Sequence, residues 1–214
     1  MRPVLRRDFL KTGGALVVGF NLRPALQAQE RGSIALARDG ELLGEVAIHS
    51  PSGFAHVLYG HLRELLDRCG VELQEIDCFA AAAGPGSFTG VRVGLACVKG
   101  LAEALGKPAA AVSNLQAMAT FGIARLRAPV IDARRGEIYG AVYDEAGALV
   151  MPEVVMKFED WRRTLPAGAE LIHNDPPRAL AAAVARLAPS QALDPAALDA
   201  NYVRRSDAEL FWKE

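Results

Sequence analysis

The residues best suited to chemistry lie in one string, Gly84-Pro85-Gly86-Ser87-Phe88-Thr89-Gly90-Val91-Arg92-Val93-Gly94-Leu95. Three glycines, a proline and two hydroxyls stand between an apolar run, Phe79 to Ala83, and an amphipathic segment. That order reads as strand, Gly-rich turn, helix N-terminus. Such a turn exposes backbone N–H groups and the helix start adds partial positive charge, so the place suits an anion or a phosphate. Gly84, Gly86, Ser87, Thr89 and Gly90 are the candidate phosphate-contacting residues. The alternative is a tight strand-to-helix connection that holds no ligand.

Other chemistry-bearing groups are sparse. Asp132 and Glu137 read as a pair of carboxylates for acid–base work, or as members of a surface ion-pair cluster with Arg134 and Arg135. Arg134, Arg135, Arg204 and Arg205 read as a local basic patch for phosphates, or as ordinary solvated arginines. His56 and His61 are five apart, so they do not share a helical face as i, i+4 ligands would. The three cysteines, Cys69, Cys78 and Cys97, form no C-x-x-C pair, which argues against a zinc site or a disulfide framework.

The elements that must position the string follow from periodicity and punctuation. Strands are expected at Gly32–Ala37 and Leu42–His49, joined by the hairpin signal Asp39-Gly40. A helix fits Ala55–Cys69, with Leu58, Leu62, Leu65 and Leu66 on one stripe and Gly70 as its stop. Ile76–Ala83 reads as a buried strand, and Gly90–Leu105 as the second helix, ended by Gly106 and Pro108. Ala109–Val112 is another strand, and Ser113-Asn114 caps a third helix, Leu115–Leu126. Beyond Pro129 a meander is expected at Val130–Asp132, Ile138–Tyr143 and Ala148–Met156. A helical turn at Asp160–Thr164, a strand at Glu170–His173 and an Ala-rich helix, Pro177–Leu187, complete this part. The sum is an α/β architecture of two related halves, divided as residues 30–127 and 128–214.

Composition narrows the function classes. The 214 residues are 51% hydrophobic and 23% charged, as in a globular protein, and the formal net charge is −1. That balance gives no global electrostatic case for binding nucleic acid alone. No apolar stretch reaches transmembrane length. Residues 1–29 differ from the rest: Arg6-Arg7 followed by the apolar run Ala15–Phe20 is like a twin-arginine export signal. The alternatives are an amphipathic or disordered extension, or a chimeric start that replaces a native first strand. The last is favoured, which places the protein in the cytoplasm and makes export the minority reading.

Three blocks carry a resemblance. They are Gly84–Leu95 with Lys99-Gly100-Leu101-Ala102, then Ile131-Asp132-Ala133-Arg134-Arg135-Gly136-Glu137-Ile138-Tyr139, then Tyr202-Val203-Arg204-Arg205-Ser206-Asp207-Ala208-Glu209. In order and spacing the chain resembles the bacterial TsaB (YeaZ) family, glycoprotease-like proteins of the peptidase M22 class, from about Gly32 onward. The resemblance implies the actin-like ATPase (ribonuclease H-like) fold with two related lobes. It implies a non-catalytic dimerisation subunit in the synthesis of threonylcarbamoyladenosine at position 37 of tRNA. The implied partners are the catalytic paralogue TsaD and the ATPase TsaE, with a homodimer as a further state. tRNA would be met only through the complex, no membrane is involved, and ATP or ADP would bind at the level of the complex rather than firmly to this chain.

The residues agree with the non-catalytic side of that family. The catalytic paralogue carries an H-x-x-x-H metal pair just after the strand that follows the Gly-rich turn and its helix. Here that place reads Ser113-Asn114-Leu115-Gln116-Ala117-Met118, and no histidine lies between His61 and His173. No catalytic residue and no metal ligand is therefore assigned. The family's opening strand ends in Asp-Thr-Ser, which is absent here, so the first strand reads as missing or replaced: Leu16–Phe20 is a poor substitute, and the alternative is that Ala15–Phe20 fills the slot. The Gly-rich turn then serves packing and docking. The helices Ala55–Cys69 and Gly90–Leu105 are expected to form the partner face, with His56, Tyr59, Arg63, Arg92, Gly94 and Val98 in it. The competing reading is a small actin-fold enzyme, either a kinase or a metal-dependent transferase or peptidase.

Overall fold

The computed structural model describes residues 14–21, 30–50, 54–173 and 180–203, with 14–21, 30 and 31 as backbone. The first sheet is built from β1 (Gly14–Asn21), β2 (Glu30–Arg38), β3 (Glu41–Ser50), β4 (Ile76–Ala82) and β5 (Ala109–Val112). Their order across the sheet is β3-β2-β1-β4-β5. β1 to β3 form an antiparallel meander, and β4 and β5 add in parallel on the far side of β1. The second sheet comprises β6 (Leu126–Arg134), β7 (Glu137–Asp144), β8 (Leu149–Lys157) and β9 (Ala169–His173), in the order β8-β7-β6-β9. Here too three strands meander and the next adds in parallel beside the first. The two sheets thus repeat one topological unit, which is the relation between halves that the sequence suggested.

The central slot of the first sheet is filled by the segment expected to be a poor strand. Gly14–Asn21 pairs with β2 from Gly14↔Arg38 to Asn21↔Arg31, and with β4 from Gly14↔Ile76 to Val18↔Ala81. A strand flanked on both edges has no use for alternating polarity, so the run Ala-Leu-Val-Val at 15–18 suits the position. The expectation that Leu16–Phe20 would serve poorly is corrected on this ground.

α1 (Leu58–Cys69) and α2 (Phe88–Leu105) cover one face of this sheet. Leu58, Leu62, Leu65 and Leu66 of α1 are buried with Val91, Leu95 and Val98 of α2 against Ile34, Leu36, Phe79 and Ala81. Gly70 and Gly106 end the two helices in the left-handed conformation. The opposite face is lined by alanines, Ala35, Ala37, Ala80, Ala82 and Ala110, and receives α5 (Leu180–Gln191) through Ala181, Val184, Ala185 and Ala188. Small residues on both sides let helix and sheet approach closely. The Ala-rich helix expected with the second half therefore packs on the first sheet, across β1, β2, β4 and β5. The chain stays there, as Leu193 bridges Ala109 and Leu198 enters the core beneath α2.

α3 (Asn114–Ala119) is much shorter than the helix expected over Leu115–Leu126, and Leu126 already belongs to β6. The cause is local. A Cβ at Gly122 would lie 2.5 Å from Ile172 Cδ1, so only glycine lets the chain press against β9. The Glu170 carboxylate then accepts the Ile123 and Ala124 amides at 2.7 and 2.8 Å, which removes them from any further helix. α3 packs between the sheets, with Leu115 and Ala119 against Ala141 and Tyr143. α4 (Phe158–Thr164) buries Trp161 in the second core, over Gly140.

Candidate functional site

The Gly-rich turn leaves the C-terminal end of β4 and opens α2. Gly84 has φ +104, and a Cβ there would lie 3.0 Å from the Asn201 carbonyl oxygen, so glycine is required twice over. The Gly84 carbonyl accepts the Asn114 amide at 2.7 Å, and the Pro85 carbonyl accepts Asn114 Nδ2 at 3.0 Å. Ser87 is the N-cap of α2, its Oγ accepting the Gly90 amide at 3.2 Å. Gly90 is buried, Gly86 and Ser87 are half-buried and Thr89 is exposed. The structure therefore gathers the five sequence candidates into one turn, and commits the Gly84 carbonyl and the Ser87 hydroxyl to partners within the chain.

Beside the turn lies a cavity of about 340 Å³ between the two sheets, bounded by Ala83, Ser113, Gln116, Tyr143, Leu149, Glu153, Gln191 and Asp199–Asn201. Glu153 of β8 dominates it. Its Oε1 accepts from Ser113 Oγ and, at 2.5 Å, from the Tyr143 hydroxyl; its Oε2 accepts Asn201 Nδ2 at 2.6 Å. Ser113 Oγ also caps α3, accepting the Leu115 and Gln116 amides at 3.1 and 3.4 Å. Asn201 is tied a second time, its amide donating to the Ala83 carbonyl at 2.8 Å. Burial, reinforced by the charge and hydrogen bond of Glu153, holds the Tyr143 phenol well above its ordinary value, so it remains a proton donor. Among the described residues no Lys, Arg or His borders the cavity, and its charged lining is Glu153 and Asp199.

The expected partner-face residues divide. His56, Tyr59, Arg63 and Arg92 are exposed on α1, its preceding turn and α2. Gly94 and Val98 are buried, and Val98 is fully enclosed in the core under α2. Those two are corrected: they lie on the stripe that turns toward the sheet, one helical face away from Arg92, and do not present a surface. The outward stripe of α2 runs instead through Arg92, Ala96 and Gly100. Tyr59 lies over Cys97 of α2, whose charge and hydrogen bond raise the phenol, while burial pushes the Cys97 thiol up. At the N-terminal end of α2 the Arg92 guanidinium stacks 3.7 Å over Phe88 and donates to the Tyr202 hydroxyl at 3.0 Å.

Asp132 has a structural task. It accepts the Arg134 amide at 2.7 Å and shapes the β6–β7 turn, where Arg134, Arg135 and Gly136 all have positive φ. Arg204, Arg205 and the residues after them lie outside the described residues, as do Arg6 and Arg7. Among the described residues no three His, Cys, Asp or Glu side chains come together to hold a metal ion. In the stretch Ser113–Met118, Asn114 is spent on the Gly-rich turn and Met118 on the core under α5. Among the described residues no helix is long and apolar enough to cross a membrane.

Sequence reasoning missed Glu153, Asn201 and Tyr143 as a set. They come from β8, the C-terminal segment and β7, and no spacing links them. The one available signal was a lone acid, Glu153, amid the apolar residues Leu149–Met156 of its strand.

Comparison with known proteins places this geometry. The family model described as "TsaD: tRNA N6-adenosine threonylcarbamoyltransferase" matches residues 52–186, more than half of the chain. The Bacillus subtilis (strain 168) tRNA threonylcarbamoyladenosine biosynthesis protein TsaB is 33% identical over 137 residues, 62% of this chain and 60% of that protein. A Pseudomonas aeruginosa protein described as similar to the peptidase YeaZ shares the fold with a TM-score of 0.70 at 24% identity, covering 90% of this chain and all of the other. YeaZ from Pseudomonas aeruginosa is 34% identical, with a TM-score of 0.57 over 67% of each chain. The chain spans about 60% of the length of the curated TsaB relatives it matches. With its repeated sheets, actin-like (ribonuclease H-like) order and Gly-rich turn, the chain belongs to the glycoprotease-like TsaD family, on its TsaB (YeaZ) side.

Proposed function

We propose that this chain is a non-catalytic docking subunit in the synthesis of tRNA threonylcarbamoyladenosine, pairing with a TsaD-like catalytic paralogue. The observation that carries the reading is the α1–α2 layer. The two helices lie side by side over one face of the first sheet, and their outer surfaces combine an exposed aromatic, Tyr59, with the small exposed residues Gly60, Ala96 and Gly100. Small residues on an outer face let two partner helices approach closely, and an exposed Tyr with Arg63 one turn further along the same helix is the kind of anchor that interfaces use. The TsaB name of the relatives and the absence of histidine from Ser113–Met118 support the accessory role. A TsaE-like ATPase, a homodimer of this chain, ATP or ADP held by the complex, and work in the cytoplasm where tRNA resides complete the proposal.

The test is co-purification with the TsaD-like partner. Tyr59→Glu combined with Arg63→Glu should lose the partner, while the melting of the isolated chain stays within about 0.5 kcal/mol of the parent, as expected for exposed positions. Retention of the partner by the double variant would remove the α1–α2 layer as the docking face. Gly94→Leu does not serve, because Gly94 is buried and the change would disturb the monomer itself.

A further inference from the structure

Three neutral donors from three separate segments converge on one carboxylate. Ser113 stands between β5 and α3, Tyr143 on β7 and Asn201 on the C-terminal segment, and Glu153 reaches all of them from β8. Two of these bonds cross between the sheets: Ser113 follows a first-sheet strand, and Asn201 is anchored to the end of β4 through the Ala83 carbonyl. The third, from Tyr143, fixes the carboxylate within its own sheet. Among the described residues no cationic side chain borders the cleft, and there the charge of Glu153 is met by hydrogen bonds.

We propose that Glu153 is an internal ligand: it occupies a carboxylate-binding cradle formed by Ser113, Tyr143 and Asn201, and so latches the two sheets together and seats the C-terminal segment beside the Gly-rich turn. In a two-lobed protein, closure is usually driven by a molecule bound between the lobes, which supplies contacts to both. Here a side chain supplies them. The latch sets the position of Asn201, and the Asn201 carbonyl is the atom that a Cβ at Gly84 would meet. Glu153 therefore governs the shape of the Gly-rich turn from the other sheet, without touching it. The cradle is matched to a planar carboxylate: two hydroxyls on one oxygen and an amide on the other. It follows that when the Glu153 side chain is removed, a small free carboxylate should take its place.

The experiment is chemical rescue on the full chain. Glu153→Ala should lower the thermal midpoint and speed hydrogen exchange at the Asn201 amide about tenfold or more, the scale set by one charge-assisted hydrogen bond. Added sodium formate should restore both, while equal sodium chloride should not, and the parent chain should respond to neither. Glu153→Gln keeps the shape but turns one acceptor into a donor facing other donors. It should exchange faster than the parent and gain nothing from formate. If Glu153→Ala does not fold, Asn201→Ala carries the test: exchange should quicken at Ala83, Gly84, Gly86 and Ser87 while β6–β8 stay unchanged. Unaltered exchange at these sites in the folded variants, or loss in Glu153→Ala that formate does not restore, would overturn the proposal.

Discussion

Replacing Gly84 by alanine tests how the Gly-rich turn is built. Two costs add. The first is backbone strain, because φ +104 lies where L side chains rarely sit, a penalty of ~1–3 kcal/mol. The second is the new Cβ, 3.0 Å from the Asn201 carbonyl oxygen. That oxygen cannot retreat freely, because Asn201 is held at 2.8 Å to Ala83 and at 2.6 Å to Glu153. Together they give a loss of about 3 kcal/mol, which in a chain of this size lowers the melting midpoint by about 6–12 °C. Gly100→Ala is the control: its Cβ meets nothing within 4 Å inside α2, so the change should raise stability, by up to about 1 kcal/mol. The assay is urea unfolding followed by circular dichroism, with hydrogen exchange read at Asn201. A Gly84→Ala protein within about 0.5 kcal/mol of its parent, with Asn201 protected as before, would show that the turn does not need glycine at this position.

Other consequences follow from burial and packing. Gly140→Ala places a Cβ 2.7 Å from the Trp161 ring and should cost about 1–3 kcal/mol in urea unfolding, as overpacking does. Glu45 has its carboxyl raised above 4.5, chiefly by burial, against the lowering effect of the Ala182 amide and the Ser33 hydroxyl. The folded chain then binds more protons than the unfolded one just above that value, so this group's contribution falls as pH rises through the folded pKa. Glu45→Gln should flatten that part of the stability–pH profile, and an unchanged profile would contradict the assignment. Burial pushes the Cys78 thiol up to about 12 and also raises that of Cys97, whereas Cys69 is partly exposed. A thiol reagent at pH 8 should therefore modify Cys69 first and the other two only on unfolding; equal rates for all three would count against the packing described.

The parts of the fold written in short-range pattern were legible. The leucine stripe of α1, the apolar run of β4, the glycine stops of α1 and α2, and the Asp39-Gly40 hairpin all follow from neighbours in sequence. What escaped depends on distant partners. α3 stops early because Glu170, some fifty residues on, captures the amides that would have continued it. Gly94 and Val98 share the buried stripe of Val91 and Leu95, and only the packed sheet shows which residues of α2 are left to face a partner. α5 was grouped with the strands nearest in sequence, whereas its alanines match the alanine-lined face of the first sheet. The Gly-rich turn was visible as a string, but its reliance on Asn114 and Asn201 was not, because a buried amide acquires its role only once the chain has brought its acceptors near.

The central claim is that this chain supplies a surface and its relative makes the bond. It is tested most directly by assaying threonylcarbamoyladenosine formation on tRNA with the chain alone, the TsaD-like partner alone, and the two together with the TsaE-like ATPase. The expected result is no product from the chain alone and full activity only in the mixture, lost when Tyr59 and Arg63 are both changed to glutamate. Product formed by the isolated chain, or a mixture indifferent to its presence, would contradict the account.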